Sequence, residues 1–201
     1  MHFPVREEVI LENDLSRLEP LHHPEDAAEK LRHIALGEPD LMKYSPSDFD
    51  SFDSVVRYFE SSINEREIGS KYTFLIFDKR QGAYAGSTSF GNISNANKRL
   101  EIGWTWIGKA FQRTGLNRNN KLLMLQYAFE ELGAARVELK SDARNKQSRD
   151  AMEGIGARFE GLLRSHTMMS DGFRRDTVYY SILLDEWPQV RLQLTRRRSQ
   201  V

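Results

Sequence analysis

The order of periodic segments predicts an α/β (α+β) fold in which a central mixed sheet of about seven strands is flanked by helices. Three observations carry this. Strand-like and helix-like segments run strand, two helices, three strands, helix, strand, helix, two strands, and so do not alternate one for one as a doubly wound sheet would. Three consecutive segments between Tyr72 and Gly108 are rich in β-branched and aromatic residues. One long amphipathic run, Leu122 to Leu132, then separates them from the remaining strands.

Taken in order, EEVILEN (Glu7 to Asn13) reads as the first strand and the residues after it as a turn. A helix starts at Pro24, where a missing N–H costs nothing and Glu25 and Asp26 suit the helix dipole. A second helix near Ser47 to Asn64 repeats Phe49, Phe52, Val56 and Phe59 or Ile63 at three- and four-residue spacing. Tyr72 to Asp78 and Ala83 to Ile93 flank Lys79-Arg80-Gln81-Gly82 as a hairpin. Arg99 to Gly108 alternates Leu100, Ile102, Trp104 and Trp106 against Glu101, Gly103 and Thr105, which predicts a strand with one apolar face shared by both tryptophans. Core packing is the default for such a pair.

After the loop FQRTGLNRNNK, the residues Leu122, Leu125, Phe129 and Leu132 form a buried helical stripe closed by Gly133. Arg136 to Ser141 is a strand, Asn145 to Gly156 a helix, and Phe159 to Met168 and Thr177 to Leu184 are strands joined by a turn at Asp171-Gly172. A single domain is expected over residues 1–187, with 188–201 a frayed C-terminal extension ending in the basic tail TRRRSQV.

Composition narrows the function. The 201 residues carry 29 Lys plus Arg and 29 Asp plus Glu, so no global field favours nucleic acid or an acidic membrane. Three arginines near the tail are too few to carry ribosome or nucleic-acid association alone. There is no cysteine, which excludes a cysteinyl acyl intermediate and cysteine-ligated zinc. His22, His23 and His33 lack carboxylates at metal-ligand spacing, so no metal is expected. Apolar runs fall far short of the roughly 20 residues that span a bilayer, and no basic flank precedes an apolar core at the start. A cytoplasmic location is the expectation.

The loop invites two readings. Gly115 before a helix allows close backbone approach, and a helix start exposes about four unpaired N–H groups, a ready site for a phosphate. The same loop read blandly is only a turn, with Asn117, Asn119 and Asn120 as caps. It is not a nucleoside-triphosphate loop, because the second glycine and the hydroxyl after Lys121 are missing. No G-x-G-x-x-G follows any strand, which disfavours a dinucleotide.

Taken together, the strand LEIGWTWI, the loop FQRTGLN, the helix from Lys121, the NKQS and EGLLR segments and DGFRRDTVYYSILLDEWPQV resemble the GNAT N-acetyltransferases, in particular their ribosomal-protein N-terminal branch. The resemblance implies a mostly antiparallel sheet split by a cleft for acetyl-CoA, the acyl donor. It implies that Gln112, Gly115 and Leu116 match the pyrophosphate loop, while Asn117 stands where the family has a small residue. N–H groups from Arg113 and Thr114 to Asn117 would then hold the pyrophosphate, backbone groups of Trp106 and Ile107 would pair with the pantetheine arm, and Asn145 would lie on the second cofactor segment. Glu101 is the implied general base and Ser148 the implied proton donor to sulfur, in direct transfer to a peptide N-terminus or a small amine. The branch carries a carboxylate where this chain has Ser165-His166-Thr167, so His166 is either a base or a hydrogen-bonded strand residue. Arg164, Arg174 and Arg175 are further candidates for contact with the acceptor or the adenosine 3′-phosphate. A non-catalytic acyl-CoA-binding sensor is the alternative, and the chain is expected to be a monomer or homodimer.

Overall fold

The computed structural model describes residues 1–198, with side chains to 196. One sheet of eight strands organises it: β1 (Leu11–Glu12), β2 (Ser16–Pro20), β3 (Lys71–Asp78), β4 (Ala83–Ser94), β5 (Arg99–Ile107), β6 (Arg136–Asp142), β7 (Arg158–Met168) and β8 (Arg174–Leu183). The spatial order is β1-β2-β3-β4-β5-β6-β8-β7. Every neighbouring pair is antiparallel except β5 and β6.

The expected fold class holds, with one strand more than expected. Ser16–Pro20, taken from sequence as part of a turn, pairs with β3 along its whole length and buries Ser16, Leu18 and Pro20. Only one of the three is a large apolar residue, so the alternation is invisible to a hydrophobic count.

Helices α1 (Pro24–Gly37) and α2 (Phe52–Glu67) pack against each other, and α2 also packs on β3. A reciprocal cap between Ser51 and Ser54 fixes the start of α2. Helix α3 (Leu116–Gln126) runs on into a π-helical turn, Tyr127–Glu131, and stops at Gly133 (φ +66°), where Ala134 N donates to Ala128 O. A buried polar set ties α3 to the first strands. Asn119 bonds both Asn13 and Ser16, and Ser16 donates to Asn120 Oδ1 at 2.6 Å. Asn119 and Asn120 therefore anchor the helix rather than cap it.

Helix α4 (Lys146–Gly154) starts at Asn145. The C-terminal segment, expected to fray, instead forms α5 (Trp187–Arg198) against α3. Trp187 stacks on Phe129 at 5.4 Å, and Val190 and Leu194 are buried behind it, an i, i+3, i+7 stripe across the Pro188 start. The end of the basic tail, 199–201, lies outside the described residues. Among the described residues no helix is long and apolar enough to cross a membrane.

Candidate active site

Strands β5 and β6 pair only through Arg99↔Arg136, Leu100↔Val137 and Glu101↔Glu138. Beyond Glu101 they separate, and the edge of β5 from Ile102 to Ile107 has no partner in β6. Part of the cause lies within β5. Gly103 pairs with Ser89 and Trp106 with Ser87, so two residues, Trp104 and Thr105, face the single Thr88, and Trp104 sits at φ +50°. This is a β-bulge, which bends a strand and re-aims its side chains.

The bulge overturns the expected simple alternation. Thr105 faces α3, bonding Thr88 Oγ1 at 2.7 Å, while Trp104 swings to the α2 side and lies over Gly91, where a Cβ would meet its ring at 2.2 Å. Trp104 and Trp106 do share a face, but through the bulge rather than through period two. Trp106 packs among Phe49, Tyr58 and Phe59 as core.

Glu101 lies on the same face, 2% exposed, with Oε1 directly above Gly103. Its Oε2 accepts from Asn92 Nδ2 at 2.7 Å and pairs with Lys140 Nζ at 3.0 Å. Lys140 also lies over the rings of Trp104 and Tyr179. Beside Trp104 opens a cavity of about 470 Å³ lined by Asp50, Arg57, Tyr58, Glu65 and Lys71 among others. Lys71 is buried there, bonded to Glu65 at 3.0 Å and Ser62 at 3.1 Å; burial lowers its pKa against the opposing pull of Glu65.

At the other end of β5 the loop closes on the head of α3. Gly115 (φ +86°) precedes the first helical residue in the left-handed region that glycine adopts freely. Arg113 is exposed and also at positive φ (+60°). The N–H of Asn117 has no carbonyl one turn earlier in the helix to bond, and Leu116 N donates to Thr114 Oγ1 at 3.4 Å. Thr114 Oγ1 donates to Phe111 O at 2.7 Å and braces the turn. Gln112 spans the cleft: its Nε2 donates to Ile107 O at 2.8 Å, and its Oε1 accepts from Gln147 Nε2 on α4 at 3.0 Å. Asn145 Oδ1 caps α4 by accepting from Ser148 N at 3.0 Å. The Ser148 hydroxyl makes no hydrogen bond among the described residues, and the side chain is half-buried.

A helix head with N–H donors and a second helix start, linked through Gln112 and Gln147, accompany the gap where the parallel pair splays apart. Residues 17–158 match the family model described as an acetyltransferase (GNAT) domain. The chain belongs to the GNAT acetyltransferases. This acetyltransferase is 31% identical to YdaF of Bacillus subtilis (strain 168), a candidate ribosomal N-acetyltransferase by name, over 83% of this chain and 91% of YdaF. Its fold superposes on a GCN5-related N-acetyltransferase from Brucella melitensis with a TM-score of 0.87, at 28% identity over 96% of this chain and 86% of that one. The microcin C7 self-immunity acetyltransferase MccE, solved in complex with acetyl-CoA and AMP, matches with a TM-score of 0.73 at 25% identity, over 85% of this chain and 93% of its own. The resemblance to the ribosomal-protein branch is thus supported by a curated relative.

GNAT enzymes use acetyl-CoA, and the residues here fit it. Besides the donors at the α3 head, Asn117 Oδ1 is buried without a hydrogen-bond partner, an acceptor waiting for an N–H or O–H from outside the chain. Among the described residues no group of three or more His, Cys, Asp or Glu could hold a metal.

Of the remaining candidates, Arg175 lies within reach of the charge on Glu101, and the others sit on β7 or at the start of β8. His166 is exposed on β7, sharing Nδ1 between Thr177 and Thr167 hydroxyls at 3.1 and 3.2 Å, two strands away from β6. Arg174 is held by Ser165, and Arg164 is exposed. Arg175 is buried and donates to Tyr44 O at 2.8 Å, which ties the chain ahead of α2 to β8. Sequence reasoning missed Asn92, Lys140 and Lys121. Lys140 stands two residues after Glu138 on β6, and Glu138 pairs with Glu101, so its side could be read only once the β5–β6 register was known.

Proposed function

We propose that this acetyltransferase moves acetyl from acetyl-CoA directly to a primary amine, either the α-amine of a peptide or protein N-terminus or a small amine. The observation that carries the reading is the meeting point at the bulge: the unpaired edge of β5 runs through Trp104, and the α2-side cavity opens on that same residue. Donor and acceptor can therefore sit together without a covalent enzyme intermediate, in keeping with a chain that has no cysteine.

In this reading the N–H groups from Arg113 to Asn117 and the capped start of α4 hold the donor, which supplies an activated thioester. Glu101 takes the amine's proton, directly or through one water; its carboxylate is kept in place by Asn92 and Lys140. An α-amine with a pKa of about 8 needs only modest help of this kind, whereas a lysine near 10.4 needs more. Ser148 gives a proton to the departing sulfur. The name of YdaF favours a protein N-terminus as acceptor.

A panel of N-terminal peptides and small amines, scored by release of free coenzyme A, tests this. Amine-dependent release supports transfer. Binding of coenzyme A with no release for any amine overturns it in favour of a binding module.

A further inference from the structure

Three lysines lie beside or beneath the middle of β5, and they are treated unequally. Lys71 has Glu65 at 3.0 Å, and Lys140 has Glu101 at 3.0 Å. Lys121, 7% exposed on α3, has no carboxylate within 4 Å among the described residues; its Nζ donates to Thr105 Oγ1 at 3.0 Å. That hydroxyl is shared with Thr88 Oγ1 and Gly103 O. An ammonium offers three donors, and burying one without a counterion is costly unless an anion arrives or the group loses its proton.

The location says which anion. Thr105 belongs to the part of β5 that has left β6, within the bulge itself. Asn117, with its orphaned Oδ1, stands four residues before Lys121 on α3, hence on the same helix face and one turn nearer the phosphate-binding head. One face of α3 thus presents an unmatched acceptor and an unmatched cation to the underside of the donor cleft.

We propose that Lys121 is a positioning residue whose protonation is coupled to donor binding: the polyanionic coenzyme A supplies the counterion that the free protein lacks, and Lys121 takes up a proton from solvent as the cleft fills. This rests on the reading that coenzyme A occupies the β5–β6 cleft. Burial pushes the free ammonium's pKa down to about 7, with Glu101 acting in the opposite direction. Glu101 on β5 is the charged group whose field reaches it; β4 contributes the uncharged Thr88, and the inner face of α3 the uncharged Asn117 and Met124.

Calorimetric titration of coenzyme A into the full chain near pH 8, in buffers of different ionisation enthalpy, reads the coupling directly. Wild type takes up a sizeable fraction of one proton more than Lys121→Met, whose affinity falls about tenfold. Lys121→Arg, permanently charged, restores affinity to within about threefold and shows none of the extra uptake. A purely structural lysine does not give that split. Equal proton uptake in wild type and Lys121→Met overturns the coupling while leaving the donor site intact. No binding of coenzyme A to wild type overturns the donor site and the coupling with it.

Discussion

The two faces of β5 handle buried charge in opposite ways. On the α2 side Glu101 has Lys140 and Asn92, and Lys71 has Glu65 and Ser62. On the α3 side Lys121 has a threonine hydroxyl. A matched set holds a shape, because removing one member strands the other in a poorly solvated place. An unmatched cation under a cleft costs stability in the free protein and recovers it when an anion binds. On the proposed reading, the first face supplies fixed geometry for the transfer and the second responds to the donor.

The largest expected effect breaks the matched face. Glu101→Gln leaves Lys140 against a neutral amide, so denaturant unfolding should register a loss of roughly 2–3 kcal/mol, reduced by the partial exposure of Lys140. If Glu101 is also the base, transfer falls about a hundredfold or more across about pH 6 to 9. Lower stability with unchanged turnover would confine it to a structural pair.

Next comes the loop that feeds both faces. Gly115→Val forces a β-branched residue into φ +86° at the head of α3. Affinity for acetyl-CoA should drop by about tenfold or more, since the N–H groups lose their aim. Stability should fall by roughly 1–2 kcal/mol in the same unfolding assay.

Lys121→Met sharpens the contrast with the opposite sign. Removing an unmatched buried charge should stabilise the free protein by roughly 1–3 kcal/mol. The unfolded lysine titrates near 10.5 and the folded one near 7, so the wild-type penalty is complete below pH 7 and fades as pH rises toward 10.5. The difference in melting temperature between variant and wild type should narrow across that window. The smallest effect belongs to Ser148→Ala: turnover falls by roughly tenfold with KM unchanged, and stability moves by less than about 0.5 kcal/mol, because the Asn145 cap uses the Ser148 backbone.

How much of this was legible in the sequence follows from what each feature does to a hydrophobic pattern. The strands β3 to β5 and the helices α3 and α4 announce themselves by period, and Gly115 and Asn145 by their places at helix starts. Strand β2 hides because it buries a serine and a proline beside one leucine. The bulge at Trp104 hides because an apolar residue stands where the unbroken period would also put one, so nothing marks the switch of face. Lys121 hides for the converse reason. It adjoins Leu122 and precedes Leu125 by one turn, at the edge of the buried stripe, but a charged residue there reads as solvent-facing until the helix is docked. The α5 stripe of Trp187, Val190 and Leu194 was readable, and was obscured by the run of polar residues around it.

Amide hydrogen exchange with and without coenzyme A tests the location of the donor most directly. Slowed exchange is expected at Arg113 to Asn117 and along Ile102 to Ile107, the two stretches that line the cleft. Protection confined instead to the cavity between α2 and Trp104, or absent from the head of α3, would contradict it.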